Sequence, residues 1–167
     1  GFEAETAAEI QDIASQAGCF GYCKTQSDQG YVSFIAEDHQ LKQLIEHVNF
    51  RQLIFVRQWF ICGDAIELES TDRVSSILHS LEGTPHCGEV ELIHADTNEA
   101  KELLKFCRKF TVPLRQAMRG KGLLFKKENA KKPQAHVCFV APGHCYVGYS
   151  LPQNNSAFFM GIPRLKF

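Results

Sequence analysis

Long apolar runs are missing from this 167-residue chain, since even Leu53–Cys62 is broken by Arg57 and Gln58. A membrane-crossing helix takes roughly 20 apolar residues in succession, so none is expected. No basic segment followed by an apolar one opens the chain, so no secretory leader is expected either. The seven cysteines are an odd number and contain no C-x-x-C pair. That usage fits reduced thiols in a cytoplasm better than a disulfide framework. Metal-ligand spacing is also lacking. Cys19 and Cys23 are four apart on a predicted strand, which separates them by about 13 Å. His86-Cys87 and His144-Cys145 have no partner pair, and His136 and Cys138 share one side of a strand. Satisfied histidines and buried thiols account for these residues, and no metal site is expected. Gly120-Lys121-Gly122 has neither the dinucleotide spacing nor the P-loop spacing, so no cofactor site is expected in this chain.

Charge of one sign is scarce in each of two regions. The first hundred residues hold five basic side chains against seventeen acidic ones. Between Lys101 and Lys132 the balance reverses. Lys101, Lys105, Arg108, Lys109, Arg115, Arg119, Lys121, Lys126, Lys127, Lys131 and Lys132 face only Glu102 and Glu128. The formal net charge of −1 therefore hides a polarised molecule, and a concentrated positive block points to a polyanionic partner.

The block has a predicted shape. Asp96 caps a helix, with Glu99 three residues later completing a capping-box-like pair. Ala100, Leu103, Leu104, Cys107 and Phe110 recur at helical spacing as a buried face, and Lys101, Lys105 and Arg108 form a stripe elsewhere on the cylinder. Pro113 lacks the amide that would continue the ladder and Thr111 is a good cap, so a kink or a fresh helix is expected there. Leu114, Ala117 and Met118 then bury the second piece and leave Arg115 and Arg119 outward. Numerous, exposed, regularly spaced cations are what phosphates require. The bland alternative for any such stripe is a solvated helix face. Eleven cations with almost no acid partners favour nucleic acid instead.

With 44% hydrophobic residues and thirteen Phe, the chain holds enough core for one domain or two small ones. Phe2–Ala17 reads as an amphipathic helix on Ala7, Ile10, Ala14 and Ala17, stopped by Gly18. Cys19–Lys24 and Tyr31–Ala36 flank Ser27–Gly30 as a hairpin. Leu41, Leu44, Ile45 and Val48 make a second helix, and Arg51–Cys62 reads as a central strand apolar on both faces. One strand in front would complete a β-α-β-β-α-β ferredoxin-like plait, so an upstream segment is expected. After an acidic stretch, Asp72 caps a helix carrying Val74, Ile77, Leu78 and Leu81, ended by Gly83. Gly88–Ala95 is a strand leading to the basic helix, and Ala135–Val140 with Cys145–Ser150 form a second hairpin. Phe20 and Tyr22 are weighed as a base-stacking platform, but core packing is the expectation, as it is for Trp59 and Phe60. The apolar end Asn154–Phe167 reads as a linker toward another domain.

Several runs are familiar. Ala95-Asp96-Thr97-Asn98-Glu99, Lys101 through Arg115, Leu53-Ile54-Phe55-Val56-Arg57-Gln58-Trp59-Phe60 and the closing Asn154-Asn155-Ser156 with Met160-Gly161-Ile162-Pro163-Arg164-Leu165-Lys166-Phe167 are similar to one family. They resemble the N-terminal half of the bacterial 23S rRNA cytidine 2′-O-ribose methyltransferases M, over essentially the whole chain. The resemblance implies an α+β chain: a ferredoxin-like domain at 1–66 without its first strand, an α/β THUMP RNA-binding domain at 67–153, and a linker at 154–167. It implies a cytoplasmic rRNA methyltransferase whose S-adenosylmethionine and Lys-Asp-Lys-Glu catalytic set belong to a Rossmann-like domain beyond this chain, with no catalytic residue here. The eleven cations would then position 23S rRNA, with Arg164 and Lys166 serving either RNA or the linker. Two rivals remain: a protein-interaction module that meets an acidic partner, and a free-standing enzyme using a Cys/His pair.

Overall fold

The computed structural model describes residues 2–25, 30–48, 53–56, 58–68, 72–95, 104–127, 129, 131–141 and 143–154, with the backbone alone at 104–107. The chain divides into two units, Gly1–Ile61 with Gln153–Phe167, and Cys62–Pro152.

In the first unit, α1 (Glu3–Gln16) carries Glu3 and Glu5 in its first turn, where carboxylates complement the positive end of the helix dipole. Ile10 and Ala14 are buried as their spacing predicts. Ala17 caps the helix and is exposed rather than part of that face. β1 (Tyr22–Lys24) and β2 (Ser33–Ile35) form the expected antiparallel hairpin, with Tyr22 opposite Ile35 and Lys24 opposite Ser33; most of its turn lies outside the described residues. Cys23 points to α1, its thiol donating to the Ala7 carbonyl at 3.6 Å. α2 (Asp38–His47) buries Leu44 and Ile45. Gln153 and Asn154, in a short 3-10 turn at Pro152–Asn154, also belong to this unit. There the fully buried Asn154 amide donates to the Ile45 carbonyl at 2.7 Å, satisfying one of the acceptors that every helix C-terminus leaves open.

Two expectations fail in this unit. The described residues of 51–62 do not form one long strand: the named strand among them is β3 (Ile61–Cys62), and Ile54 is 79% exposed. The amides of Ile54, Phe55 and Val56 instead donate to the Glu9 carboxylate at 2.8, 3.0 and 2.9 Å. An apolar run becomes a strand only when a neighbour offers a ladder. Here the Glu9 carboxylate takes the place of a ladder and satisfies the three amides. Arg57 lies outside the described residues. Phe20 and Tyr22 are not core residues either, being 73% and 54% exposed. Cys23 takes the inward position of β1 and sends Tyr22 to the opposite face. Trp59 does pack, partly buried against both small apolar clusters of the unit.

The second unit is built on a five-stranded sheet. Its order is β3-β7-β6-β5, with β4 (Ile66–Glu67) also paired to β7 (His144–Ser150). β6 (Gln134–Ala141) and β7 are the expected antiparallel hairpin. β5 (Glu89–His94) runs parallel to β6, Glu89 opposite Gln134 and His94 opposite Phe139. A parallel pair needs a crossover, and α4 (Leu104–Gly120) lies on it. α3 (Arg73–Ser80) starts where Asp72 accepts from the Ser75 amide at 3.1 Å. Ile77, Leu81, Leu114 and Met118 of the two helices meet Val90, Val137, Phe139 and Val147 of the sheet in one continuous core.

α4 does not restart at Pro113: the helix is continuous through it. Proline removes one internal hydrogen bond, and Leu114 and Met118, both buried, offset that loss by anchoring the segment. The proposed cap at Asp96 and the first helical residues to Leu103 lie outside the described residues.

Candidate nucleic-acid interface

Helical geometry gives α4 two faces. Phe110, Leu114 and Met118 recur every four residues and pack into the core. Arg108, Val112, Arg115 and Arg119 recur at intervals of four, three and four on the other side, which 100° per residue places in one stripe. Arg108, Lys109 and Arg119 are exposed. Val112, 56% exposed, sits between the guanidinium positions. Lys101 and the side chain of Lys105 lie outside the described residues.

Arg115 is not a free outward cation. Its Nε donates to Oε1 of Glu89 at 2.8 Å, and the same oxygen accepts from the Val90 amide at 2.8 Å. Glu89 opens the edge strand β5, beside α4, so the pairing follows from the parallel crossover and has no sequence signal. Glu89, Val112, Arg115, Gln116 and Arg119 line a shallow groove of about 300 Å³. It presents the Arg119 guanidinium, the Arg115 guanidinium engaged by Glu89, the Gln116 amide and the apolar Val112 side chain.

The basic loop that follows is held in place. α4 ends at Gly120, and the turn after it closes on Gly122. With Gly122 at φ +72°, the Leu123 amide reaches back to the Met118 carbonyl at 2.9 Å and the Gly122 amide to that of Arg119 at 3.1 Å, a pairing that wants glycine at the left-handed position. The loop is then stitched to the residues ahead of β5. Cys87 donates to the Leu123 carbonyl and accepts from the Phe125 amide, both at 3.0 Å, and Gly88 donates to Pro133 at 2.8 Å. A side chain at Gly88 would run into the Asn129 carbonyl, so the close seat of the loop needs glycine. Leu124 is buried beneath. Lys121, Lys126, Lys127, Lys131 and Lys132 are all exposed. The described backbone of this loop is fixed at both ends.

His86, weighed above only as a metal ligand, meets a ring that the sequence did not single out. His86 and Phe125 are stacked with centroids 3.9 Å apart and planes 9° from parallel, and Lys132 Nζ lies 5.5 Å from the Phe125 centre. Residues 86 and 125 are far apart in sequence, so only the bridge between Cys87 and Leu124 brings them together.

Other chemistry is poorly served. His136 Nε2 lies 2.6 Å from Ser150 Oγ, and its Nδ1 lies 3.6 Å from Glu91. Both His136 and Ser150 are fully buried, so the pair is closed to a substrate. Burial pushes the Cys87 thiol up to about 11 and that of Cys145 to about 12, which makes both poor nucleophiles. Among the described residues no group of three His, Cys, Asp or Glu side chains could hold a metal ion. Nor is any described helix long and apolar enough to cross a membrane.

Residues 1–60 match the RlmM ferredoxin-like domain, and residues 72–151 match the N-terminal region of ribosomal RNA large subunit methyltransferase M. Relatives named ribosomal RNA large subunit methyltransferase M align over the whole chain: 58% identical in Vibrio parahaemolyticus, covering 48% of that protein, 54% in Aliivibrio salmonicida, covering 47%, and 51% in Photorhabdus sp., covering 46%. The chain thus spans about half the length of the curated relatives it matches. On these matches, the chain belongs to the ribosomal RNA large subunit methyltransferase M family, within the N-terminal half that those relatives share with it.

Proposed function

We propose that this chain is the RNA-holding part of a cytoplasmic, S-adenosylmethionine-dependent 23S rRNA (cytidine-2′-O)-methyltransferase, and that the methyl transfer takes place on residues beyond it. One observation carries the reading: Arg108, Lys109 and Arg119 on a rigid helix, and five lysines on a loop stitched at both ends, are exposed with Glu102 and Glu128 as the acids of that block. Fixed cations meet phosphates at little ordering cost and set the register of the RNA. Holding the substrate this way turns a remote surface into orientation at a separate reacting centre. Lys101, Lys105 and Arg115 belong to the same proposed surface; Arg115 joins it through the groove it shares with Arg119.

S-adenosylmethionine does not fit the residues present. Dinucleotide-type cofactors bind where a glycine-rich turn follows a strand of a parallel sheet. Here β5 and β6 are the parallel pair of the described strands, and the segment after β5, Ala95-Asp96-Thr97-Asn98-Glu99, has no glycine.

The test is fluorescence anisotropy of a labelled large-subunit rRNA segment with the 167-residue chain across a salt series. The expected result is a linear fall of log affinity with log salt, with a slope of about −4 or steeper, at roughly 0.7–0.9 per phosphate contact. A flat dependence, or no binding at low salt, would overturn the reading in favour of an acidic protein partner.

A further inference from the structure

The stacked rings at the root of the basic loop have features of a ligand site that a cation patch alone does not need. His86 is exposed while Phe125 is half-buried, so the pair is a supported ring with its outer part open to solvent. The support is built into the backbone. The Cys87–Leu124 bridge and its two 3.0 Å hydrogen bonds fix the chain next to both rings, and the Cys87 thiol donates to the Pro85 carbonyl at 3.2 Å on the near side of His86. Little freedom is left to lose when a third ring arrives. Lys126, Lys127, Lys131 and Lys132 are exposed along the same loop, so an anionic backbone is drawn to the stack.

Aromatic side chains on a cationic surface are how proteins hold unpaired bases: each base offers a π-face, and the phosphates beside it meet the lysines. A paired base is already stacked on its neighbours and cannot use the site. We infer that His86, braced on Phe125, is a stacking platform for one unpaired nucleobase of single-stranded RNA, with the loop lysines taking the flanking phosphates. The inference rests on the RNA reading above and adds a base-level contact to it: the surface distinguishes single strands from duplexes at this point. An acidic protein segment would meet the same lysines but has no need of the ring.

The probe is a single-stranded oligoribonucleotide of about 12 nucleotides, within the range of single-strand sites, carrying one 2-aminopurine, alongside a duplex of equal length. The unsubstituted chain is expected to quench the 2-aminopurine on binding. His86→Ala should lower single-strand affinity about tenfold and abolish the quenching, while leaving duplex affinity and the salt slope unchanged, because no phosphate contact is lost. His86→Tyr, which keeps a ring, should restore both affinity and quenching. Equal affinity and quenching in His86→Ala would overturn the platform alone, as would an equal loss on the duplex. Failure of the unsubstituted chain to bind either RNA at low salt would overturn the RNA reading, and the platform with it.

Discussion

The two units satisfy similar apolar sequence in different ways. In the second unit, β6 lies between β5 and β7, its amides enter ladders on both sides, and Ala135, Val137 and Phe139 are completely buried. In the first unit, Leu53–Val56 is equally apolar, yet three of its amides are held by one carboxylate from α1, and Ile54 points to solvent. Among the described residues, most buried apolar side chains of the second unit form a single core. Those of the first fall into two small clusters, one led by Ile10 and Val56, the other by Ala14, Cys19 and Leu44. A ladder spreads its stabilisation over many bonds, whereas a carboxylate cap concentrates it on a single side chain.

The sharpest way to break that contrast is at its two centres. Phe139→Ala should cost the second unit about 3–5 kcal/mol, as for large core truncations, read as a fall in the urea midpoint. A loss under about 1 kcal/mol would mean that the sheet repacks around the gap. Next in size, Glu9→Ala should destabilise the first unit by about 1–2 kcal/mol, since the three hydrogen bonds are charge-assisted but partly solvated, and Glu9→Gln should recover part of it. Thermal unfolding measures both, and an unchanged Tm in Glu9→Ala would show that the cap holds nothing.

The charge contrast is tested by Arg108→Glu with Arg119→Glu. RNA affinity should fall about tenfold or more at low salt and the salt slope should flatten by roughly 1.4–1.8, two phosphate contacts, with the circular dichroism unchanged. Unaltered affinity would remove α4 from the interface. Arg115 is left out of that pair because a carboxylate there would face Glu89, which now holds it at 2.8 Å, and would mix folding with binding.

The smallest effect is at the start of α3. The Ser75 hydroxyl, and then the Ser75 amide, lower the Asp72 carboxyl below its ordinary value of 3.8. Its contribution is therefore complete above that value and is lost as the pH falls through the lower folded one. Asp72→Ala should lower Tm slightly at neutral pH, and the gap to the unsubstituted chain should close in acid. A gap that persists in acid would assign the effect to something other than the charged cap.

Much of this was legible in residue order. Periodicity located α1, α2 and α3, alternation located both hairpins, and Asp72 announced its helix, because these patterns act within a few residues of themselves. Failures came where distant chain decides. Arg51–Cys62 has the composition of a central strand, yet the amides of Ile54, Phe55 and Val56 go to a carboxylate and the named strand is confined to Ile61–Cys62. Pro113 has the signature of a break, but packing of Leu114 and Met118 carries the helix across it. Phe20 and Tyr22 have the hydrophobicity of a core but stand on the outward side of a two-stranded sheet.

The basic surface divides in the same way. Sequence by itself determined that eleven cations occupy one short block and that helical spacing lines up Arg108, Arg115 and Arg119, because charge and period are local properties. Only the tertiary structure decided which of them remain available. The parallel pairing of β5 with β6 puts Glu89 against Arg115, and the bridge from Cys87 to Leu124 fixes the lysine loop and lays His86 on Phe125. Those partners are about 26 to 39 residues apart in the chain, a separation that no local pattern encodes and that the loop-closure entropy of folding must be spent to bridge.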